Sequence, residues 1–181
     1  LVDQAGGAGS LWLMLYAYAF RLYFDFSGYT DIAIGLGVLF GIELPENFNR
    51  PYLKQSIAAF WQSWHMTLSN WAKSYVDLPL SRSLIKQRKL SNGQIVMVAN
   101  LATMVVIGLW HGMTLPFLAW GLWHGAGLTV HKLWSDRTRK WYRGLRDTPN
   151  KQLAWEITGV LLTFHFVLLG WVWFALPDLQ S

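Results

Sequence analysis

The stretch IVMVANLATMVVIGLWHGMTLPFLAWGLWHGAGLTVH, residues 95–131, contains the phrase Gly-Leu-Trp-His-Gly twice, at 108–112 and at 121–125. A short segment runs from Gly112, the last residue of the first copy, to Pro116, and proline together with glycine favours a turn there. The flanking runs are apolar and almost free of charge. We therefore predict a helical hairpin, with one helix over 95–110 that leads into His111 and a second over 117–131.

Both copies place a histidine among apolar residues. An imidazole in such surroundings is costly unless it is hydrogen-bonded or used, and ionisable groups within membrane-type helices are functional candidates. His111 at a helix end is the first candidate and His65 the second, because a histidine with a pKa near neutral suits removal of a hydroxyl proton. The residues alone leave open whether His111 is catalytic. His165, by itself on an apolar helix, is expected to be a packed, hydrogen-bonded residue.

The composition is that of a membrane protein. Of 181 residues, 53% are hydrophobic and 14% charged, with twelve tryptophans and sixteen glycines, whereas soluble domains carry about 25% charged residues. Eleven of the fifteen basic residues form two clusters, at 82–89 and 132–151, that flank apolar runs. This distribution follows the positive-inside rule and argues against nucleic-acid binding.

The rest of the chain predicts further helices. Leu11 to Phe26 and Ile32 to Ile42 are apolar runs, and Phe26–Asp31 between them predicts a break. From Ile57 to Trp71, apolar residues recur at steps of three and four residues. This spacing predicts one amphipathic, interfacial or re-entrant helix. A polar loop is expected over Ser135–Gln152, and Leu153–Leu176 is the clearest span. The predicted fold class is all-α, a polytopic membrane helical bundle with re-entrant or interfacial amphipathic helices.

Several site classes have little support in the sequence. The chain has no cysteine, which excludes disulfides and thiolate metal ligands, and no histidine or carboxylate set has metal-ligand spacing. No serine-nucleophile elbow or phosphate-binding glycine loop is present. Asp25 and Asp31 bracket the predicted break, where they either cap helix ends or pair with Arg21, or else line a polar pathway.

Four ordered motifs resemble the membrane-bound O-acyltransferase family, over roughly residues 15–175. They are FDFSGYTDIAIG at 24–35, LPENF at 44–48, FWQSWHMTLS at 60–69 and LWHG at 109–112. The resemblance is to the alginate O-acetyltransferase branch, with teichoic-acid D-alanyl transfer proteins as relatives. Family members are longer, so residues 1–181 are expected to form a single membrane domain that is the core and C-terminal part of a longer polytopic enzyme.

The resemblance also implies site residues. His111 occupies the position of the family's catalytic histidine, and His65 the second polar position along the catalytic tunnel, where it would position the donor or the developing oxyanion. Further candidates for contact with substrate or tunnel are Asp25, Ser27, Asp31, Trp64, Asn70, Trp110 and His124. Lys73-Ser74 and Ala175 depart from the family pattern, which bears on partner docking and substrate identity more than on the core chemistry.

The implied activity is transfer of an acyl group, acetyl above all, to hydroxyls of an exported or cell-surface polysaccharide. The donor would be a thioester, acetyl-CoA or an acyl carrier, with no permanently bound cofactor and no metal. The expected setting is multi-pass in the inner or plasma membrane, with a periplasmic or extracellular acyltransferase as a possible partner. The alternatives are acyl or D-alanyl transfer toward teichoic acid-type polymers, a non-enzymatic transporter or channel module, and a structural subunit that recruits a separate acyltransferase.

Overall fold

The computed structural model describes residues 7–145 and 148–179, and these residues form helices without a strand. The helices are α1 (Ala8–Leu39), α2 (Ile57–Trp61), α3 (Met66–Ala72), α4 (Leu78–Gln87), α5 (Asn92–His111), α6 (Leu115–Leu145) and α7 (Pro149–Leu179). A 3-10 turn at Pro51–Leu53 precedes α2, and a π-helical turn at Lys73–Asp77 joins α3 to α4. The all-α prediction is confirmed for the described residues.

The predicted hairpin is present as α5 and α6, which pack against each other along their lengths. Ser91 begins α5 with a capping box, in which Gln94 N–H donates to the Ser91 hydroxyl and the Ser91 N–H donates to Gln94 Oε1. Glycines set the close approach of the two helices. A Cβ on Gly121 would lie 2.6 Å from the Met104 carbonyl oxygen, and one on Gly125 would lie 2.9 Å from Leu101 Cα. Small residues at this interface allow the backbones to meet.

Within the described part of the chain, two helices have the length and composition of membrane spans, α5 and residues 149–176 of α7. The 20 residues of α5 reach about 30 Å at 1.5 Å per residue, the thickness of a hydrocarbon core. The predicted helix begins at residue 95, whereas the cap at Ser91 begins α5 about one turn earlier. The predicted span Leu153–Leu176 lies within α7.

Three segment predictions are wrong. The predicted break at Phe26–Asp31 is absent, because α1 runs through it and the Thr30 hydroxyl donates to the Ser27 carbonyl oxygen 2.9 Å away within the helix. The single amphipathic helix is instead α2 and α3, separated by a turn at 62–65. The expected loop from Ser135 is helical through Leu145, while residues 146–147 lie outside the described part.

Asp25 and Asp31 both face away from the interior. Asp25 Oδ2 accepts from Arg21 Nε at 3.3 Å, and both side chains are mostly exposed, which is the pairing expected of an ordinary helix surface. Asp31 is exposed as well.

We predict that Asp25→Asn has almost no effect on stability. Exposed i,i+4 ion pairs contribute about 0.5 kcal/mol or less, so the thermal midpoint in detergent should match that of the unmodified protein within about two degrees. Arg21→Gln is the matched control, and the two changes together should cost no more than either alone. A large loss in Asp25→Asn only would show that this carboxylate has a partner other than Arg21.

An aromatic core joins the short helices to the long ones. Phe60, Trp64, Trp120 and Trp171 are buried, and their rings contact one another across α2, α6 and α7. Tyr52 connects this core to α1, because its hydroxyl donates to the Ala19 carbonyl oxygen at 2.8 Å while accepting from Trp171 Nε1 at 3.2 Å. The core therefore holds the α2–α3 turn against the α5–α6 hairpin.

Candidate active site

A small cavity of about 40 Å³ lies where α1, the α2–α3 turn, α5, α6 and α7 converge. Its lining is aromatic and aliphatic apart from two imidazoles: Leu22, Phe26, Trp61, Trp64, His65, Leu68, His111, Trp120, Trp171 and Phe174. The volume is enough for a few water molecules or a small chemical group. A mostly apolar cavity with few polar groups is the usual form of a small-molecule site.

His111 enters the cavity as the last residue of α5. Its ring packs edge-on against Phe174 of α7 at 4.9 Å between centroids and against Trp120 of α6 at 5.6 Å. Gly112 then leaves the helix in an extended conformation, and a Cβ there would lie 2.7 Å from the Phe117 ring. The Trp-His-Gly order thus has a structural reason, since the glycine lets Phe117 pack beside the imidazole.

His65 enters from the turn between α2 and α3. Its backbone is left-handed, with φ 44° and ψ 57°, a conformation that costs a non-glycine residue about 1 kcal/mol or more and that is found at functional sites. The ring packs edge-on against Phe26 of α1, with centroids 4.8 Å apart. Burial lowers the pKa of His65 below its ordinary value of 6.5, so the imidazole is neutral at physiological pH.

Asn47 holds His65 and was not among the predicted site residues. Its Oδ1 lies 3.3 Å from His65 Nδ1, and it also accepts from the Thr67 N–H at 3.2 Å and the Thr67 hydroxyl at 2.7 Å. The segment Leu44–Phe48 is one of the four motifs, but its sequence does not show that the Asn47 side chain contacts His65, 18 positions later. Such a contact follows only from the fold.

His124 lies behind the cavity and does not line it. It is fully buried, and its Nδ1 accepts from Trp61 Nε1 at 3.3 Å. The centroid of its ring lies 4.8 Å from that of the Trp120 ring. His124 therefore contacts two tryptophans that line the cavity. An effect of His124 on substrate would be indirect, through these tryptophans.

The other predicted site residues separate into two groups. Trp64 lines the cavity, and Trp110 borders it, 61% exposed, with its ring 4.8 Å from His111 and 6.3 Å from His65. Asp25, Ser27, Asp31 and Asn70 are not among the lining residues, and the structure does not bring them to the two imidazoles. Their roles toward substrate stay predictions.

His165 has the role expected of it. Its Nε2 lies 2.8 Å from the Tyr16 hydroxyl, and its Nδ1 lies 2.8 Å from the Leu161 carbonyl oxygen. The first contact joins α1 to α7 and the second lies within α7, so both ring nitrogens have partners and this histidine is structural.

A second cleft, of about 350 Å³, lies between α4, α5 and α6 near the basic clusters. Its polar lining residues are Asp77, Ser81, Asn100, His131, Lys132 and Ser135. It contains one imidazole and is more open, so the paired histidines make the smaller cavity the candidate for chemistry. Within the described residues, no three His, Asp or Glu side chains are grouped as metal ligands.

Comparison with known proteins identifies the family of this chain. The family model described as membrane-bound O-acyltransferase matches residues 9–174. A peptidoglycan O-acetyltransferase of Helicobacter pylori is 43% identical over 94% of this chain and 29% of its own length. A probable alginate O-acetylase of Pseudomonas aeruginosa is 38% identical over 95% of this chain and 30% of its own. A teichoic acid D-alanyltransferase of Bacillus subtilis is 33% identical over 90% of this chain and 40% of its own. The chain thus spans about a third of the length of these relatives.

Proposed function

Since this chain belongs to the membrane-bound O-acyltransferase family, we propose that it carries the catalytic centre of an enzyme that transfers a short acyl group, acetyl above all, to hydroxyls of a cell-envelope polysaccharide. The observation that carries this proposal is the meeting of His65 and His111 in one apolar cavity. The two histidines are 46 positions apart in the numbering and come from different elements. Relatives named for O-acetylation of peptidoglycan and alginate support the same substrate class.

The reaction can be written from the groups in the cavity. The hydroxyl oxygen of the acceptor attacks the carbonyl carbon of the thioester, and His111 takes the hydroxyl proton as general base. An ester C–O bond forms, the thioester C–S bond breaks, and the departing sulfur receives the proton from the protonated His111. The apolar lining supports the chemistry because exclusion of water protects the thioester from hydrolysis.

The size of the cavity favours a short acyl group. About 40 Å³ holds a few water-sized groups, whereas a long acyl chain would need displacement of Trp64, Trp120 or Trp171, all of them buried. A donor such as acetyl-CoA or an acetylated carrier would place only its acyl end there. We propose that the complete protein is multi-pass in the inner or plasma membrane, with α5 and α7 among its spans.

The proposal predicts transfer by the complete gene product in membranes. Acetyl-CoA labelled in the acetyl group should yield label in the polysaccharide fraction, and mild alkali should release it because the product is an ester. Membranes lacking the gene product are the control. Labelling from a D-alanyl thioester carrier in place of acetyl-CoA would assign the alternative donor, which the relative from Bacillus subtilis favours.

The transporter hypothesis makes the opposite prediction. Proteoliposomes would then pass polysaccharide with no acyl product, and the carboxylates Asp25 and Asp31 would be needed. Because both are exposed and away from the cavity, we expect Asp25→Asn to retain transfer within about twofold of the unmodified protein, in line with the small effect of surface charges remote from a site.

A further inference from the structure

The hydrogen-bond pattern around Asn47 decides which atom of its side chain faces His65. The Thr67 backbone N–H can only donate, and it donates to the same Asn47 atom that His65 approaches. That atom is therefore the carbonyl oxygen Oδ1 and not the amide nitrogen, whichever way the amide group is drawn. An amide oxygen accepts hydrogen bonds and cannot donate them.

The same pattern decides the tautomer of His65. Since Oδ1 only accepts, His65 Nδ1 must carry the proton in order to bond to it at 3.3 Å. A neutral imidazole has one N–H, so Nε2 then carries the lone pair. Nε2 is the ring nitrogen that remains for a ligand in the cavity, because Nδ1 is already bound.

The backbone makes this placement rigid. The Asn47 carbonyl oxygen accepts from the Met66 N–H at 3.0 Å, and the Asn49 N–H donates to the Ser63 carbonyl oxygen at 3.0 Å. These two bonds clamp the segment around Asn47 onto the α2–α3 turn, where His65 has its left-handed backbone. Three donors then converge on one oxygen, so the Asn47 side chain cannot rotate without losing all three.

We propose that Asn47 is a positioning residue that fixes His65 with its proton on Nδ1, so that His65 Nε2 can receive from His111 the proton taken from the hydroxyl and return it to His111 for the departing sulfur. The inference rests on the proposed function, and it changes one expectation. A neutral His65 in this tautomer has no N–H to offer a developing oxyanion. It holds or receives a proton, and stabilisation of the oxyanion belongs to other groups.

A charge introduced at position 47 would change the pKa of His65, because the groups packed on the His65 ring are neutral. The rings packed on it, Phe26 of α1 and Trp110 of α5, are uncharged, and the loop presents the neutral Asn47. The titratable group that faces it is His111 of α5, across the cavity. A carboxylate at position 47 would therefore be the one anion placed against His65 Nδ1.

The test is the pH profile of transfer from labelled acetyl-CoA by the complete gene product in membranes. Asn47→Asp keeps the acceptor oxygen for Thr67 and adds a negative charge that favours the protonated imidazole. Loss of activity at the acid side of the profile should then occur at a pH higher by about one unit or more, because Nε2 must be unprotonated to act. Thr67→Val is the matched control: it removes the 2.7 Å bond to the same oxygen and should leave the position of the acid limb unchanged.

A purely structural Asn47 would give another result. Asn47→Asp would leave the acid limb where it is, and that outcome would overturn the proposal. Asn47→Leu, which removes the acceptor, should lower the rate at neutral pH at least tenfold at equal membrane abundance. A rate within twofold of the unmodified protein would count against it equally.

The tautomer can also be measured without turnover, which separates this inference from the proposed function. Solid-state 15N NMR of histidine-labelled protein, with His65→Phe used to assign the signals, should show His65 with a protonated Nδ1 and an unprotonated Nε2. The opposite tautomer would overturn the proposal even in an active enzyme. Absence of transfer by the unmodified protein from both acetyl and D-alanyl donors, with the expected tautomer present, would contradict the proposed function alone.

Discussion

His111→Ala is expected to reduce acyl transfer by about 10³-fold at saturating donor, since removal of a general base costs 10²- to 10⁴-fold. The imidazole is the sole titratable group that α5 contributes to the cavity lining. Its neighbours Trp120 and Phe174 pack around it but can neither take nor give a proton in this reaction. The measurement is the initial rate of ester formation in membranes with labelled acetyl-CoA.

The control for His111→Ala must separate lost chemistry from lost packing. His111→Gln keeps much of the volume against Phe174 and Trp120 without a base, and it should be as inactive as the alanine variant. His165→Gln is a matched change at a histidine outside the cavity and should retain most of the activity. Transfer by His111→Ala at more than a tenth of the normal rate would move the base to another residue.

Gly121→Ala is expected to have a large effect on stability. The added Cβ would lie 2.6 Å from the Met104 carbonyl oxygen and 3.0 Å from Val105 Cα. These are backbone atoms, so α5 and α6 must separate along the hairpin, at a cost of about 3 kcal/mol, the upper range for overpacking. The thermal midpoint in detergent should fall by several degrees. The rate of acyl transfer should also fall, because His111 lies on α5 and Trp120 on α6, the two helices that separate.

Gly144→Ala is the matched control, since it makes the same substitution in the same helix. A Cβ on Gly144 would contact nothing within 4 Å, and alanine is the better helix former by about 1 kcal/mol. This variant should be as stable as the unmodified protein or more so. Equal midpoints for Gly121→Ala and Gly144→Ala would show that the close approach of α5 and α6 does not hold the hairpin together.

The hairpin and its histidine could be predicted because local signals agree there. Glycines, a proline-containing turn and apolar runs of helical length all fall in residues 95–131, and the helix contacts they specify are between neighbours in the chain. The roles of His165 and of the pair Arg21 and Asp25 also followed from local rules, because an i,i+4 pair needs no knowledge of the rest of the fold.

The break between α2 and α3 could not be predicted from the apolar stripe. Ile57, Phe60, Trp61 and Trp64 are buried as the stripe requires, yet the chain leaves the helix at residue 62. The bonds that hold this turn come from Asn47 and Asn49, more than a dozen positions earlier. These tertiary contacts thus override the helical periodicity in the turn that places His65 in the cavity.

The opposite error occurred in α1. Ser27, Gly28 and Thr30 are weak helix formers and suggested a break, but Thr30 satisfies its hydroxyl within the helix. The predicted break also placed Asp25 and Asp31 at its two ends, where helix capping, pairing with Arg21 and a polar pathway were all open. With the helix continuous, both carboxylates lie on its exposed side.

The central claim is that His65 and His111 serve one acyl-transfer step in one cavity. The most direct measurement is the transfer rate of four proteins in membranes: unmodified, His65→Ala, His111→Ala and the double variant, at equal abundance. Residues that act as a unit are strongly non-additive, so the double variant should be no slower than the slower single variant within about threefold. Losses that multiply, or a His111→Ala rate equal to that of the unmodified protein, would contradict the claim.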